Sequence, residues 1–383
     1  MADDEETTVT PYEVSGDVDY DKLLEQFGAD RLSEEQVQRF PDGGHRLVRR
    51  RAFYAGRDIN RVLSSIDSGE QLSVITGRGP SGSMHLGHIV PFYFAKYLQD
   101  TAGAHVYIPI SDDEKHLSKE LGLDKIQDYA DRNIEQILGV GFDPEKTTII
   151  HDTVDADVIY PIATRVANHI TPATVDAVYG SQPNIGMQFY PAVQAAHLLL
   201  PQLIQGSHAS VVPIAVDQDP HIRLARDIAG RQDMPAEKPA ALLSKFLPTL
   251  SGPGKMSSSG DKPTIYLDAD EDTVEEMITK YAHSGGKKSL KEHREQGGNP
   301  DVDVAFQYQR YFFEPSDDEV ERLESGYEDG TVTSGEMKQE AVDSITRFLN
   351  EHQERVRNHS TSLEEFRLTE EERLRALKAA SCR

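Results

Sequence analysis

Two short stretches hold the residue types that chemistry on a phosphate would need. The first is GRGPSGSMHLGH, residues 77–88. Gly77, Gly79 and Gly82 permit close approaches and backbone conformations that a Cβ would forbid. They stand where an apolar run gives way to a helical pattern. A strand, a Gly/Ser turn and a helix N-terminus bring backbone N–H groups to one spot, which suits an anion. His85 and His88 add two imidazoles, and Gly87 leaves room between them for a flat base or a ribose. Arg78 adds a cation. A plain connecting turn with two incidental histidines would read the same way. The second stretch is GPGKMSSSGDKP, residues 252–263, in which Lys255 sits among glycines and three serines. A mobile loop of this composition brings an ammonium and hydroxyls to a phosphate. By itself it is also an ordinary solvated loop.

The elements that must position these stretches follow from the hydrophobic pattern. LSVIT (72–76), HVYIPI (105–110), TTIIH (147–151) and SVVPIAV (210–216) read as buried strands, and TIYL (264–267) as a last one. Helical patterns lie between them: IVPFYFAKYLQD after the histidines, one beginning at DDEKHLSKEL, and DPHIRLARDIAG with Gly230 as its stop. Strands alternating with helices predict an α/β chain with a doubly wound parallel sheet. AVDQD then falls at the carboxyl end of a strand, where open sheets of this kind bind ligands. A helix is expected over Tyr20–Phe27 within a polar segment 1–70. After about residue 270 only helical periods remain, so the expected division is an N-terminal extension (1–70), a catalytic domain (71–270) and a helical domain (271–383). Phe306, Tyr308, Tyr311 and Phe312 are spaced as a helix core. Asp112 and Asp113 read as helix-capping acids.

Taken together, HLGH after the first sheet strand and KMSSS after the last resemble the paired signature of class I aminoacyl-tRNA synthetases. TGRGPSGSMHLGHIVPFYFAKYLQD, DDEKHL, PAVQAA, AVDQDPHIRLARD, HSGGKKSLKEHREQGGNPDVDVAFQY and SGEMKQEAV are similar, in order, to tryptophanyl-tRNA synthetases of the archaeal and eukaryotic type. The likeness runs from about DYDKLLEQFG to NEHQERV, leaving out the acidic N-terminus and the tail beyond Val356. It implies a Rossmann-like catalytic domain that joins tryptophan to ATP as an adenylate and then transfers the aminoacyl group to tRNA(Trp). It further implies Mg²⁺ with the ATP, an anticodon-binding helical domain and a homodimer. His85, His88 and Lys255 would be the catalytic set, Lys255 meeting charge on the departing pyrophosphate. ATP would lie against Arg78, Gly79, Ser81, Gly87, Lys115, Asp217, Met256, Ser257, Ser258 and Ser259. The amino acid would lie against Glu114, Gln194, Gln218, Ile75 and Pro109.

Two of these positions depart from the pattern. Related synthetases carry a tyrosine where this chain has Ile75 and a glutamine where it has Pro109, and Ile214 and Ile222 differ as well. A site that hydrogen-bonds a substrate N–H discriminates by about 10⁴–10⁵, which apolar fit alone does not reach. The alternatives are therefore a diverged synthetase of altered amino-acid specificity and a non-catalytic RNA- or amino-acid-binding protein. The intact His85, His88 and Lys255 speak against the second. Another nucleotidylyltransferase would share the histidine turn but leave KMSSS and the helical domain unexplained. No Cys/His cluster suggests a structural zinc.

The charge balance bears on the partner. The 383 residues include 65 Asp and Glu against 40 Lys and Arg, a formal net charge of −25. Nucleic-acid binding ordinarily wants a basic face, and here only local clusters such as GGKKSLKEHR and QERVRNH provide one. Because the acids are spread over the whole chain, adaptation to molar salt is the favoured reading, since there the Debye length falls to about 3 Å. The single cysteine, Cys382, excludes an internal disulfide. No run approaches about 20 apolar residues, and MADDEETTVT lacks the apolar core of a secretory signal. A cytoplasmic protein with no membrane segment is expected. Salt adaptation predicts that the melting temperature and activity both rise from dilute buffer to molar KCl. A flat or falling profile, followed by circular dichroism, would overturn it.

Overall fold

The computed structural model describes residues 8–9, 14–15, 20–119, 121–231, 233–252 and 262–381. Strands β1 (Thr8–Val9) and β2 (Val14–Ser15) form a separate antiparallel pair. The other seven are β3 (Asp30–Arg31), β4 (Phe53–Arg57), β5 (Leu72–Ile75), β6 (His105–Ile110), β7 (Thr147–His151), β8 (Ala209–Ala215) and β9 (Ala240–Ser244). They build one sheet in the order β3-β4-β9-β8-β5-β6-β7. The run from β9 to β7 is parallel, and β4 and β3 extend it antiparallel. From β5 the chain first builds outward through β6 and β7. It then returns to the other side of β5 with β8 and β9. Strand order therefore reverses between β5 and β8, which opens a crevice at their carboxyl ends.

The parallel strands form because they are nearly continuous apolar runs with helices on both faces. On one face the helices Ile59–Ser68, Leu86–Ala102 and Leu123–Leu138 share a core with the helical C-terminal part, including Phe306, Tyr308 and Phe312. On the other face, Ala156–Ala167, Ile185–Gln205 and Asp219–Ile228 pack with the C-terminal helix Glu370–Ser381.

The expected parallel sheet is thus corrected at three places. Thr264–Leu267 is not a strand of the sheet; it makes a single antiparallel bridge, between Tyr266 and His85. The last strand of the parallel run is Ala240–Ser244 instead. Phe53–Arg57, from the polar first segment, pairs with it. Gly56 is needed at that contact, because a Cβ there would stand 2.6 Å from the carbonyl oxygen of Ala241. The helix expected over Tyr20–Phe27 is present.

The tail beyond Val356 folds back onto the sheet's second face. Arg367 and Arg373 reach the fully buried carboxylate of Asp155, and Arg373 also bonds Asp157 at 2.9 Å. Removing Arg373 leaves Asp155 with Arg367 as its remaining cation, at 3.5 Å. Arg373→Ala is expected to cost about 2 kcal/mol of stability, below the range for a fully buried pair because Arg373 keeps some solvent access. Denaturant melts at fixed KCl check this, and an unchanged midpoint would show the tail to be energetically idle.

Candidate active site

β5 ends at Ile75, and its backbone stays stitched to β6 as far as Arg78. Arg78 N donates to Pro109 O at 2.8 Å, and Ser111 N donates to Arg78 O at 3.0 Å. The glycines make this approach possible. A Cβ on Gly77 would lie 2.5 Å from Pro109 O, and one on Gly79 would lie 2.2 Å from Lys115 Cε. Asn133, on the helix Leu123–Leu138, clamps the turn from behind. It accepts from Arg78 Nε at 3.1 Å and donates to Gly82 O at 3.0 Å.

His85 is the N-cap of the helix Leu86–Ala102. Its Nδ1 accepts from Gly87 N at 3.2 Å, while His85 N donates to His88 Nδ1 at 3.2 Å. The two rings stack with centroids 3.5 Å apart. Since backbone N–H groups occupy both Nδ1 atoms, each ring carries its proton on Nε2, leaving Nε2–H as a donor. The same turn pairs with the chain that leaves the serine-rich loop: Leu86 N donates to Ile265 O, and Leu267 N to Met84 O. Lys255, Met256, Ser257, Ser258 and Ser259 lie outside the described residues. Further along the chain, Ile265–Leu267 lie beside the histidines.

A cavity of about 340 Å³ opens at the reversal of strand order. The histidine turn contributes Ile75, Arg78, Gly79, Gly87 and His88 to its lining. Pro109 comes from β6, Glu114 and Lys115 from the helix Asp112–Ser118, and Gln194 from the helix Ile185–Gln205. Asp217 and Gln218 follow β8. Ser81 is not in the lining; its N–H closes the turn onto Gly79 O. His85 faces an adjoining space of about 150 Å³ that also touches His88.

The register explains the character of the cavity floor. Ile75 pairs with Tyr107 and Val74 with Val211, so Ile75, Pro109, Val212 and Ile214 project from one sheet face. Above them stand Tyr190, Gln194 and Leu198, spaced four apart on one helix face. Tyr190 donates to Gln194 Oε1 at 3.0 Å. The floor is apolar, and the polar groups gather toward the strand ends. Tyr190, Leu198, Val212 and His221 were missed in the sequence; the four-residue spacing from Gln194 is the signal that could have found the first two.

Electrostatics divide the site. Arg78 Nη2 is buried with no hydrogen-bond partner among the described residues, and burial lowers its pKa to about 10 against the raising effect of Glu114. A guanidinium anchored through Nε to Asn133, with Nη2 unbonded among the described residues and beside a turn that a Cβ would fill, fits an incoming phosphate. Lys115 pairs with Glu114. Behind them lies a buried acid cluster. Burial works against ionised Asp112, but hydrogen bonds from His151 and Thr153 outweigh it and hold its pKa below the usual range. Ser111 holds the N-cap position without a side-chain bond, and the two acids expected to cap lie in the first turn, where Asp113 Oδ1 accepts from Glu114 N at 2.6 Å while Asp112 bonds Thr153. Asp113 is pushed up to about 8, by burial first and by Asp152 second. Burial likewise raises Asp152, whose Oδ1 lies 2.6 Å from His197 Nε2. Burial lowers His197 to about 4, so that ring is neutral. Burial also lowers His221, to about 3.

A sheet that reverses order beside a glycine-rich turn, with paired histidines at the helix start, is the architecture of a doubly wound α/β enzyme. The profile of the family described as tRNA synthetases class I (W and Y) matches residues 67–350, and the chain belongs to that family. It is 53% identical to tryptophan–tRNA ligase 2 of Halobacterium salinarum over 372 residues, 96% of each chain. It is 43% identical to tryptophan–tRNA ligase of Saccharolobus solfataricus over 358 residues, 92% of each. Among solved structures it resembles a tryptophanyl-tRNA synthetase from Encephalitozoon cuniculi bound to tryptophan. That similarity has a TM-score of 0.83 and 35% identity, and covers 91% of this chain and 98% of the other.

A carboxyl that keeps its proton in the folded chain, while the unfolded chain would lose it near pH ~4, costs stability as pH rises. For Asp113 and Asp152 that loss runs from there through about 8, the raised value of Asp113. Asp152→Asn removes the extra proton uptake. The denaturation midpoint of that variant is therefore expected to fall less steeply than the wild type's above pH ~5. Equal slopes would place the proton elsewhere.

Proposed function

We propose that the chain is a tryptophan–tRNA ligase. The carrying observation is one cavity, at the reversal of the sheet, that is apolar along its floor and rimmed by phosphate- and amine-binding groups. On this reading a flat amino-acid side chain lies over Ile75, Pro109, Val212 and Ile214. Its ammonium and carboxylate face Glu114, Gln194 and Gln218, and ATP lies along Arg78, Gly79, Gly87 and His88, with its ribose toward Asp217. The amino-acid carboxylate attacks the α-phosphate. The Nε2–H groups of His85 and His88 and the ammonium of Lys255 take up charge on the phosphates as pyrophosphate departs. Mg²⁺ held on the triphosphate would share that charge. The acyl group then passes to a ribose hydroxyl of the terminal adenosine of tRNA(Trp): the ester bond forms as the acyl–phosphate bond breaks, and AMP leaves with the hydroxyl's proton.

The reading extends to a catalytic domain over 71–270 on which residues 1–70 pack, and a helical domain over 271–383 that grips the anticodon. A homodimer working in the cytoplasm is part of the same proposal. The names of the relatives support tryptophan over a drifted specificity, and among the described residues no helix is long and apolar enough to cross a membrane.

Pyrophosphate exchange with each of the twenty amino acids tests the proposal. Tryptophan should support exchange ahead of tyrosine and phenylalanine, and a flat ranking would remove tryptophan as the substrate. Lys255→Ala should slow exchange by about 10²–10³, the loss typical of one transition-state donor, with KM for tryptophan within about threefold. Equal losses in both would take Lys255 out of the transition state.

A further inference from the structure

The chain beyond Val356 plays no part in the reading above, and the family profile ends before it, at residue 350. It is nonetheless built into the core. Phe366, Leu368 and Ala376 are buried, and the helix Glu370–Ser381 packs against the helices Ala156–Ala167 and Ile185–Gln205. The second of these presents Gln194 to the cavity.

Polar contacts tie the same tail to another group at the amino-acid end, Glu114. They run through one tight turn, residues 151–155, in which Val154 N and Asp155 N both donate to His151 O, at 2.9 and 2.7 Å. On the tail side of the turn, fully buried Asp155 takes Arg373 and Arg367. Its Oδ2 also accepts from His151 N at 2.8 Å. On the cavity side the same turn holds Asp112, which is fully buried as well. Thr153 N donates to Asp112 Oδ1 at 3.1 Å, the Thr153 hydroxyl donates to Oδ2, and His151 Nε2 lies 3.0 Å from Oδ2. Asp112 is the first residue of the helix that carries Glu114 and Lys115. Two carboxylates without solvent access thus stand on either side of one turn. Neither can exchange a lost partner for water at small cost. A change at the arginines must then be met by the turn, and through it by the start of the Glu114 helix.

Resting on the ligase reading, we propose that Arg373 and Arg367 are positioning residues for amino-acid activation: through Asp155, the turn and Asp112 they set where Glu114 stands against tryptophan. The tail is then a strap that belongs to the amino-acid site although it touches no substrate. ATP depends on it less. Of the groups given to ATP only Lys115 rides on this helix, whereas Arg78 is held by Asn133, and His85 and His88 by the start of their own helix. The charges are enclosed, so the coupling persists in molar salt, where exposed pairs are screened beyond about 3 Å.

The test is pyrophosphate exchange in molar KCl, on chains that circular dichroism shows to be folded. Arg373→Ala should raise KM for tryptophan at least about fivefold while KM for ATP stays within about twofold, and Arg373→Lys should restore part of the difference. Arg375→Ala, in the same helix but with its ion pair to exposed Glu371, should leave both constants unchanged. Thr153→Val, at the other end of the path, should also raise KM for tryptophan, and the double variant should fall short of the product of the two single effects. If Arg373→Ala does not fold, Arg367→Ala, which keeps the Arg373 contact, carries the same measurement. A lowered melting temperature with an unchanged KM for tryptophan would make the tail a purely structural part and overturn the proposal. Equal rises in both KM values, or single effects that multiply in the double variant, would do so too. Absence of tryptophan-dependent exchange in the wild type would instead defeat the ligase reading itself.

Discussion

The backbone at the start of the helix Leu86–Ala102 has two sets of hydrogen bonds to satisfy, and both shape the site. Helix N-termini leave N–H groups without intrahelical partners. Here Gly87 N goes to the His85 ring and Leu86 N to Ile265 O, while Met84 O takes Leu267 N. The first bond fixes an imidazole tautomer. The second pins the chain that leaves the serine-rich loop. One short segment therefore sets the histidine donors and also holds Ile265 and Leu267 against the same turn. The rest of the cavity, on β6, β8 and their following helices, is placed relative to it by the sheet.

Local patterns carried most of this in the sequence. The histidine turn, the DDEK helix and the VDQD turn each follow an apolar run, so strand ends could be read and their convergence inferred from α/β topology. The misreadings have physical causes. AALLS has neither β-branched nor aromatic residues, yet it is a strand because β8 and β4 pair with both of its edges. TIYL has the composition of a strand but only one neighbour, the histidine turn. Asn133, Asp152 and His197 matter through contacts distant in sequence, and no local spacing marks them.

The acid cluster shows how the fold's periphery reaches the site. Asp155 accepts from His151 N at 2.8 Å while holding Arg367 and Arg373 of the tail, and His151 Nε2 lies 3.0 Å from Asp112. Asp112 opens the helix that presents Glu114 and Lys115. The carboxylates of Asp155 and Asp112 are fully buried, where water screens little, so the tail and the Glu114 end of the cavity belong to one electrostatic network. The apolar floor has a different logic. The side chains of Ile75 and Pro109 present no acceptor, so on the proposed reading the ring of an amino acid would be held there by shape and dispersion. Orientation must then come from the polar groups at the strand ends.

The net charge of −25 is compatible with a nucleotide site because of where the cations sit. Arg57 is bidentate to fully buried Asp219, Arg50 pairs with Asp317, and Arg373 with Asp155. These cations hold the fold together, so the surface is left more acidic than composition alone suggests, and molar salt would screen it. Arg78 and Lys115 lie instead inside the cavity, within a few ångströms of where a phosphate would rest. Attraction at that range falls little with ionic strength, whereas long-range steering disappears. A chain built this way gives up the field that guides an RNA from a distance and concentrates recognition in enclosed contacts. Its binding should then depend on fit more than on the total count of basic residues.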